Sequence, residues 1–208
     1  MIINPKIKKE DLSLIDKINF EEEYIYNSFV QNYEINNEET TNFQIDTCYL
    51  EKVKITNSNL LKSNINDTII INSDLSNSNL SNSNLTRCEF INCNLIGIDL
   101  SVCTIKDTKF INCNINYGNF SKSKLTDLLM IDSNLNEASI NYTSLKNVNI
   151  KNTSLIRTEI FNTSLKDIDF SDTIIDGVLV DPNSIKGVIV NEYQALQLVQ
   201  LLGIKIKN

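Results

Sequence analysis

The stretch that decides the fold lies at residues 89–95, EFINCNL, which recurs as KFINCNI at residues 109–115, twenty residues further along the chain. The recurrence belongs to a longer period, because every fifth residue from Ile45 to Val190 is apolar, thirty positions without a gap. With 41% apolar residues in the chain, the chance of such a run is roughly 10⁻¹², which identifies an internal repeat. A period of five fits neither the α-helix nor the alternation of a long strand.

A second inward position lies two residues before each central residue, where the side chain is nearly always small or apolar. Residues two apart in an extended strand face the same side. In each pentapeptide, therefore, three side chains point inward, outward and inward in turn, and two turn residues follow. This pattern predicts a solenoid in which the chain turns after every short strand and successive coils hydrogen-bond to each other.

The twenty-residue recurrence predicts four sides to each coil. Thirty pentapeptides then give about seven and a half coils, roughly 36 Å long at the ~4.8 Å spacing of paired strands. Stacked coils place Phe90 over Phe110 and Cys93 over Cys113, so we expect a core ladder of like residues inside a square parallel β-helix.

The two ends differ from the repeat, and we expect them to cap it, since a solenoid otherwise exposes core and unpaired backbone. Residues 1–42 are predicted to form an N-terminal cap with a degenerate first coil, in which residues 36–42, NNEETTN, could form a loop. Residues 43–190 form the repeat itself. Residues 191–208 are predicted to form a capping helix and tail, with Asn191 and Gln194 as a capping box and Gly203 as the C-cap.

The predicted helix is more apolar than a lid requires. One apolar stripe of the helix is expected to pack on the last coil, and it consists of Ala195, Leu198, Val199 and Leu202. Tyr193, Leu196 and Leu201 fall outside that stripe. We therefore predict that these three residues form the interface of a symmetric homodimer joined through the C-terminal helices.

Composition excludes several functional classes. Among 208 residues there is no histidine, so histidine-dependent acid–base chemistry, catalytic triads and histidine metal sites are excluded. No segment reaches the ~18 apolar residues of a membrane span, and we expect a cytoplasmic protein without membrane contact. The net charge of −7 divides into −5 for residues 1–42, −3 for 43–190 and +1 for 191–208, which argues against direct binding to nucleic acid.

The repeat units SNL, SDL, CNL, IDL, GNF and KDIDF resemble the A(D/N)LXX pattern of the pentapeptide-repeat family over roughly residues 43–190. The resemblance implies an all-β fold, a right-handed quadrilateral parallel β-helix, here with a C-terminal α-helix. The tail GVIVNEYQALQLVQLLGI at residues 187–204 is similar to the C-terminal helix of the Qnr and MfpA group. That resemblance implies binding to DNA gyrase, protection of gyrase from fluoroquinolones and dimerisation. The uninterrupted repeat lacks the projecting loops that many Qnr proteins carry.

The acidic DNA mimicry commonly attributed to this group can be tested on the charges. A duplex carries one charge per ~1.7 Å, so a rod of ~36 Å would need about twenty negative charges. Residues 43–190 carry 16 acidic and 13 basic residues, a net −3. One predicted turn column aligns four aspartates beside four lysines, which we expect to screen one another: Asp67, Asp107, Asp127 and Asp167 beside Lys106, Lys146, Lys166 and Lys186.

No cofactor, metal site or catalytic group is predicted. All five cysteines fall at the inward position, where cysteine behaves as a small hydrophobe. The sequence offers no general base to activate a serine as a nucleophile. The sequence therefore predicts a non-catalytic scaffold that acts by macromolecular interaction. The leading hypothesis is binding to gyrase or topoisomerase, the alternative is a structural or interaction solenoid with an unrelated partner, and an unrecognised enzyme is a weaker third.

Overall fold

The computed structural model describes residues 2–205 as a solenoid of about eight turns of parallel strands, followed by one C-terminal helix. This architecture confirms the predicted all-β parallel β-helix with a C-terminal α-helix. Three 3-10 turns lie at Lys9–Asp11, Phe20–Glu22 and Gln200–Leu202. The strands and the helix are β1 (Ser13–Ile15), β2 (Tyr24–Tyr26), β3 (Ser28–Gln31), β4 (Glu34–Asn36), β5 (Glu39–Thr41), β6 (Gln44–Asp46), β7 (Tyr49–Glu51), β8 (Lys54–Thr56), β9 (Asn59–Leu61), β10 (Asn64–Ile71), β11 (Asn84–Ile91), β12 (Thr104–Ile111), β13 (Lys124–Ile131), β14 (Ser144–Lys151), β15 (Glu159–Ile160), β16 (Leu179–Val180) and α1 (Glu192–Val199).

The strand register follows the twenty-residue recurrence. Strand β2 pairs with β6 through Tyr24↔Gln44, and the same offset continues along β10 to β14. Those five strands are eight residues long, because each runs along two adjacent sides through one corner. The other two sides are joined mainly by single bridges such as Asp74↔Asn94 and Asn79↔Asp99, again twenty residues apart. Each coil therefore contacts only its neighbours.

The interior holds both predicted inward positions. The central residues form one continuous buried cluster from Ile18 to Leu198. At the second inward position, buried hydroxyls join consecutive coils: Ser123 Oγ accepts from the Cys103 backbone N–H (2.9 Å) and donates to the Leu100 carbonyl (2.8 Å). This explains the core serines and threonines, since an unpaired buried N–H costs about 1–3 kcal/mol.

The corners have a backbone conformation that accounts for much of the asparagine content. From Asn27 to Asp167, the residue two after each central residue has a positive φ without exception. Asparagine, aspartate and glycine tolerate this left-handed region, whereas most residues pay about 1–2 kcal/mol for it. Thirteen of the chain's 32 asparagines occupy such corners: Asn27, Asn32, Asn37, Asn42, Asn57, Asn72, Asn77, Asn82, Asn92, Asn112, Asn147, Asn152 and Asn162.

The interpretation of residues 36–42 as a loop is wrong. Glu39–Thr41 forms strand β5, which pairs in parallel with β9 at the regular twenty-residue offset. The coil continues there because backbone hydrogen bonds and corner geometry are satisfied even though its central residue, Thr40, is polar. The first turn does depart from the period, since Ser13 of β1 pairs with Ser28, only fifteen residues away.

The C-terminal helix begins at the predicted residue, but the α-helix ends at Val199, and the 3-10 turn Gln200–Leu202 continues the chain to the predicted cap, Gly203. The Asn191 side chain accepts from the Gln194 N–H, the Gln194 side chain accepts from the Asn191 N–H, and Gly203 follows the last turn with a φ of 71°. Met1, the Leu202 side chain and residues 206–208 of the predicted tail lie outside the described part of the chain.

Candidate interaction surface

A column of four isoleucines follows one side of the solenoid. Ile71, Ile91, Ile111 and Ile131 each come directly after a central residue and are paired in register. Each is half-buried, so the column presents an apolar strip about 14 Å long at the usual strand spacing. The sequence analysis missed this column, although an isoleucine recurring four times at twenty-residue intervals could have revealed it.

An amide ladder lies along the corner next to the isoleucine column. The Asn112 Nδ2 donates to Asn92 Oδ1 (2.8 Å), and the Asn92 Nδ2 donates to Asn72 Oδ1 (3.0 Å). Further along, the Asn152 Nδ2 donates to the carboxylate of Asp132 (2.6 Å). The column and ladder together form a straight edge with an apolar strip and a hydrogen-bonding strip side by side.

Three bulky residues occupy left-handed corners, where asparagine or glycine would be expected. Val102 (φ 58°), Tyr117 (φ 61°) and Tyr142 (φ 56°) all point into solvent with about half or more of their area exposed. They flank the side whose outward residues are small and polar, such as Asn119 and Ser121. Such a conformation is costly for a β-branched residue, so Val102 and Thr47 (φ 55°) are the most strained of these corners on steric grounds.

Three carboxylates of the repeat pair with a cation one coil away in their own column: Asp67, Glu89 and Glu137. Arg87 forms a two-pronged ion pair with Asp67, and these hydrogen bonds hold the pKa of Asp67 below its ordinary value. Lys109 pairs with Glu89 one coil below it, at 2.8 Å. Pairing one coil apart leaves little net field along these sides.

The predicted screening of the aspartate column by neighbouring lysines holds for only one pair. Lys106 lies 4.0 Å from Asp107. Asp127 instead accepts from Asn147 in its own column, and no ion pair to Lys146 is found within residues 2–205. The lysines lie at the outward position before each corner, so their side chains extend into water and away from the corner carboxylates.

The C-terminal helix closes the last coil through a glutamine. Gln194 is buried, and its Nε2 donates to the carbonyls of Phe170 (2.7 Å) and Thr173 (2.8 Å), which no further coil could pair. Asn191 adds a bond from Nδ2 to the Ser171 carbonyl (2.9 Å). Leu198 is the buried apolar contact of the helix with the core. Sequence reasoning identified Gln194 as part of the capping box but missed its role on the coil.

The residues predicted for the dimer interface lie on the outer surface of this end. Tyr193 is 68% exposed, Leu196 52% and Leu201 40%. The outward position before each central residue, mostly polar in earlier coils, also becomes apolar in the last turn. These exposed residues of the last turn are Ile174, Leu179 and Ile189. The C-terminal end therefore combines apolar residues from the helix and from the final coil.

The predicted core ladder residues lie inside the solenoid. The Phe90 and Phe110 rings stack with centroids 4.9 Å apart and planes inclined by 13°, and neither is exposed. Cys93 and Cys113 occupy equivalent places in adjacent coils, and a hydrogen bond between their thiols together with burial raises the pKa of Cys93.

All five cysteines are buried free thiols, and each donates to a backbone carbonyl. Burial raises the pKa of Cys88 to about 12. Among the described residues, no group of three or more histidine, cysteine, aspartate or glutamate side chains is placed to hold a metal ion. Nor does the part of the chain described contain a helix long and apolar enough to cross a membrane.

Comparisons with known proteins were made for sequence and for structure. The family described as "Pentapeptide repeat region" matches residues 43–117 and 83–130. A search of curated proteins found no match. Among solved structures, two trypsin-treated forms of QnrB1, a plasmid-mediated fluoroquinolone resistance protein, are similar to this chain. One has 14% identity, covers 86% of this chain and 100% of its own, and gives a TM-score of 0.47. The other has 21% identity, covers 94% of this chain and 96% of its own, and gives a TM-score of 0.45.

A third similar structure is HetL of the cyanobacterium Nostoc, a pentapeptide repeat protein involved in heterocyst differentiation regulation. It has 15% identity, covers 79% of this chain and 90% of its own, and gives a TM-score of 0.29. The family match and the pentapeptide coils of the structure itself point the same way. Residues 43–130 of this chain thus form a repeat region of the pentapeptide-repeat family.

Proposed function

We propose that this protein is a non-catalytic cytoplasmic scaffold that acts as a homodimer by binding another macromolecule along its solenoid. The candidate partner is DNA gyrase or a related topoisomerase, which the protein would protect from fluoroquinolones. The observation that carries the proposal is a pair of apolar surfaces, the half-buried isoleucine column and the exposed C-terminal end.

The dimer is supported by the change in outward residues at the last coil. In earlier coils the position occupied by Ile174 holds Asp74, Asn94 and Asn114, which favour water. Apolar residues at the equivalent positions of the last turn, next to exposed Tyr193 and Leu196, favour a partner that removes them from water. If a second copy packed against this C-terminal end about a two-fold axis, the apolar residues of the last turn and those of the helix would be buried together.

Contact with gyrase would not depend on imitation of duplex charge. Residues 43–190 carry a net −3, and several of their carboxylates pair with cations one coil away. The isoleucine column and the amide ladder instead offer apolar area beside hydrogen-bonding groups, the combination found at protein–protein interfaces. The C-terminal helix resembling the Qnr and MfpA group supports gyrase as the partner.

The second candidate function is a structural or interaction solenoid with an unrelated partner protein. The near-neutral coil favours it, because a gyrase ligand that replaced DNA would need a stronger anionic field. Both candidates use the same rod and the same dimer, and they differ in what occupies the isoleucine column.

The test measures gyrase supercoiling in the presence of ciprofloxacin with increasing amounts of the protein. The variants are Leu196→Glu, which should disrupt the dimer, and Ile91→Asn, which should weaken the column. Gln44→Glu is the matched control, since it adds the same charge to an exposed position outside both surfaces. Rescue of supercoiling by wild type and control, lost in both variants, supports the proposal.

No rescue by the wild-type protein at large excess would refute the gyrase assignment and favour the unrelated partner. Light scattering tests the dimer separately. A wild-type mass of one chain at micromolar concentration would refute the dimer, whereas a dimer that Leu196→Glu converts to monomer supports it.

A further inference from the structure

The residues that precede the first coil run along the outside of the solenoid. Residues 2–8 form neither helix nor strand, and three contacts fix their path. The Ile3 N–H donates to Asp107 Oδ1 (3.0 Å), and the Lys6 N–H donates to Asp67 Oδ1 (3.0 Å). The Lys9 Nζ lies 2.6 Å from Glu51 Oε2. We call residues 3–9 the strap.

The spacing of the strap contacts matches the spacing of the coils. The three contacting residues are three apart, and three residues of an extended, polyproline-like chain span about 9.3 Å. Asp107 and Asp67 are two coils apart, about 9.6 Å at the usual strand spacing. An extended chain therefore brings the Ile3 and Lys6 N–H groups to Asp107 and Asp67 without bending, and Pro5 between them favours that conformation. The Lys9 side chain then reaches across the side to Glu51.

Lys9 occupies a cage of two aromatic rings and a carboxylate. Its Nζ lies 4.2 Å from the centre of the Phe29 ring and 4.7 Å from that of Tyr49. The two rings meet edge to face with centroids 5.8 Å apart. Aromatic faces attract cations at such distances, so the cage selects an ammonium group.

The strap contributes little to the core. None of residues 2–12 is buried, and its contacts are hydrogen bonds, one ion pair and the cage. The residues beneath it are held by the solenoid itself: Arg87 orients the Asp67 carboxylate, and coil stacking places Phe29 over Tyr49. Asp107 is only 3% exposed with the strap in place. Removing the strap would thus leave a formed groove in which Asp107 and Glu51 lose the donors from the strap, while Asp67 keeps Arg87.

We propose that Phe29, Tyr49, Glu51, Asp67 and Asp107 form a groove that binds an extended, lysine-bearing segment of a partner protein, and that the strap occupies this groove in its place. The required features are two backbone N–H groups three residues apart and an ammonium group three residues further on. The groove crosses the Phe90 side, from the corner that contains Asp67 and Asp107 to Glu51, which pairs with Ile71 of the isoleucine column. This inference is independent of the gyrase assignment.

An occupant tethered to the same chain competes strongly, because its effective concentration reaches the millimolar range. A partner segment would bind the intact chain with an affinity reduced by the fraction of time the strap is docked. Binding should therefore increase when the strap is weakened.

The probe is a fluorescent synthetic peptide of residues 2–12, followed by anisotropy. We expect it to bind a variant lacking residues 2–9 at least tenfold more tightly than the wild-type chain. The full-length Lys9→Ala variant, which retains every residue of the groove, should show an intermediate gain. In the truncated protein, Glu51→Gln and Asp67→Asn should each weaken binding several-fold, whereas Glu39→Gln, an exposed carboxylate on another side, should not.

Two results would overturn the proposal. Equal binding of the peptide by wild type, truncated and Lys9→Ala proteins, or binding by none of them, would show that the groove is not a site. Exchange of straps between two full-length copies, seen as a dimer that the truncation abolishes, would assign the groove to a second copy and not to a partner. The Lys9→Ala measurement decides the matter if the truncated protein does not fold.

Discussion

Val102 offers a test of the corner geometry in which a substitution should increase stability. It has a φ of 58° and occupies the corner column that also contains Asn82 and Asn162. Because valine branches at Cβ, it is among the residues least suited to the left-handed region. Replacing Val102 with asparagine should relieve this strain.

The expected gain follows from two opposing terms. The left-handed conformation costs an ordinary residue about 1–2 kcal/mol, most of which asparagine avoids. Val102 is 48% exposed, so the apolar burial lost is at most about 0.7 kcal/mol. We expect Val102→Asn to raise the free energy of unfolding by about 0.5–1 kcal/mol, which corresponds to about 1–4 °C in melting temperature.

The matched reverse substitution is Asn82→Val, one coil earlier in the same column. It should lower the free energy of unfolding by about 1–2 kcal/mol, because it introduces the strain that Val102 already carries. Urea unfolding followed by circular dichroism measures both variants. A stability loss in Val102→Asn, or an unchanged stability in Asn82→Val, would refute the argument that corner geometry selects asparagine.

Three further predictions concern the core and the end of the rod. A double-mutant cycle of Phe90→Leu and Phe110→Leu, measured by urea unfolding, should give a coupling of about 0.5–1.5 kcal/mol from the stacked rings, and additive losses would contradict it. Gln194→Ala should destabilise the last coil by about 1–3 kcal/mol because the buried Thr173 carbonyl loses its donor, seen as faster amide exchange there, whereas Gln200→Ala should change stability by less than about 0.5 kcal/mol. Because all five thiols are buried, a thiol reagent at pH 8 should modify them only after denaturation; rapid modification of the native protein would show that a thiol is accessible.

The coil was predictable because its determinants are local and periodic. The central residues and the position two before them repeat often enough to define inside and outside, and the capping box marks the start of the helix. The left-handed corners could also have been predicted, since asparagine, aspartate and glycine recur two residues after the centre. The isoleucine column escaped notice because each isoleucine looks like a single outward residue until coils are aligned twenty residues apart.

Other features depend on contacts that no local pattern contains. Strand β5 forms around the polar Thr40 because the strands before and after it, β4 and β6, are both paired with neighbouring coils. The polar residue types of this segment alone therefore led to the wrong interpretation. The strap depends on hydrogen bonds between residues 61 and 104 positions apart. Its lysines resemble any solvated charged segment until the coils bring Glu51 and two aromatic rings to one place.

The twenty-residue register has a consequence for folding speed. Most β-proteins fold slowly because their strands pair across long stretches of chain. Here ladder partners are 20 residues apart in a chain of 208, a ratio of about 0.1, in the range of helical bundles. Coils can therefore form one after another from any nucleus, each adding to a neighbour already in place. The strap can dock completely only after the coil that contains Asp107 has formed, because the Ile3 N–H donates to that carboxylate.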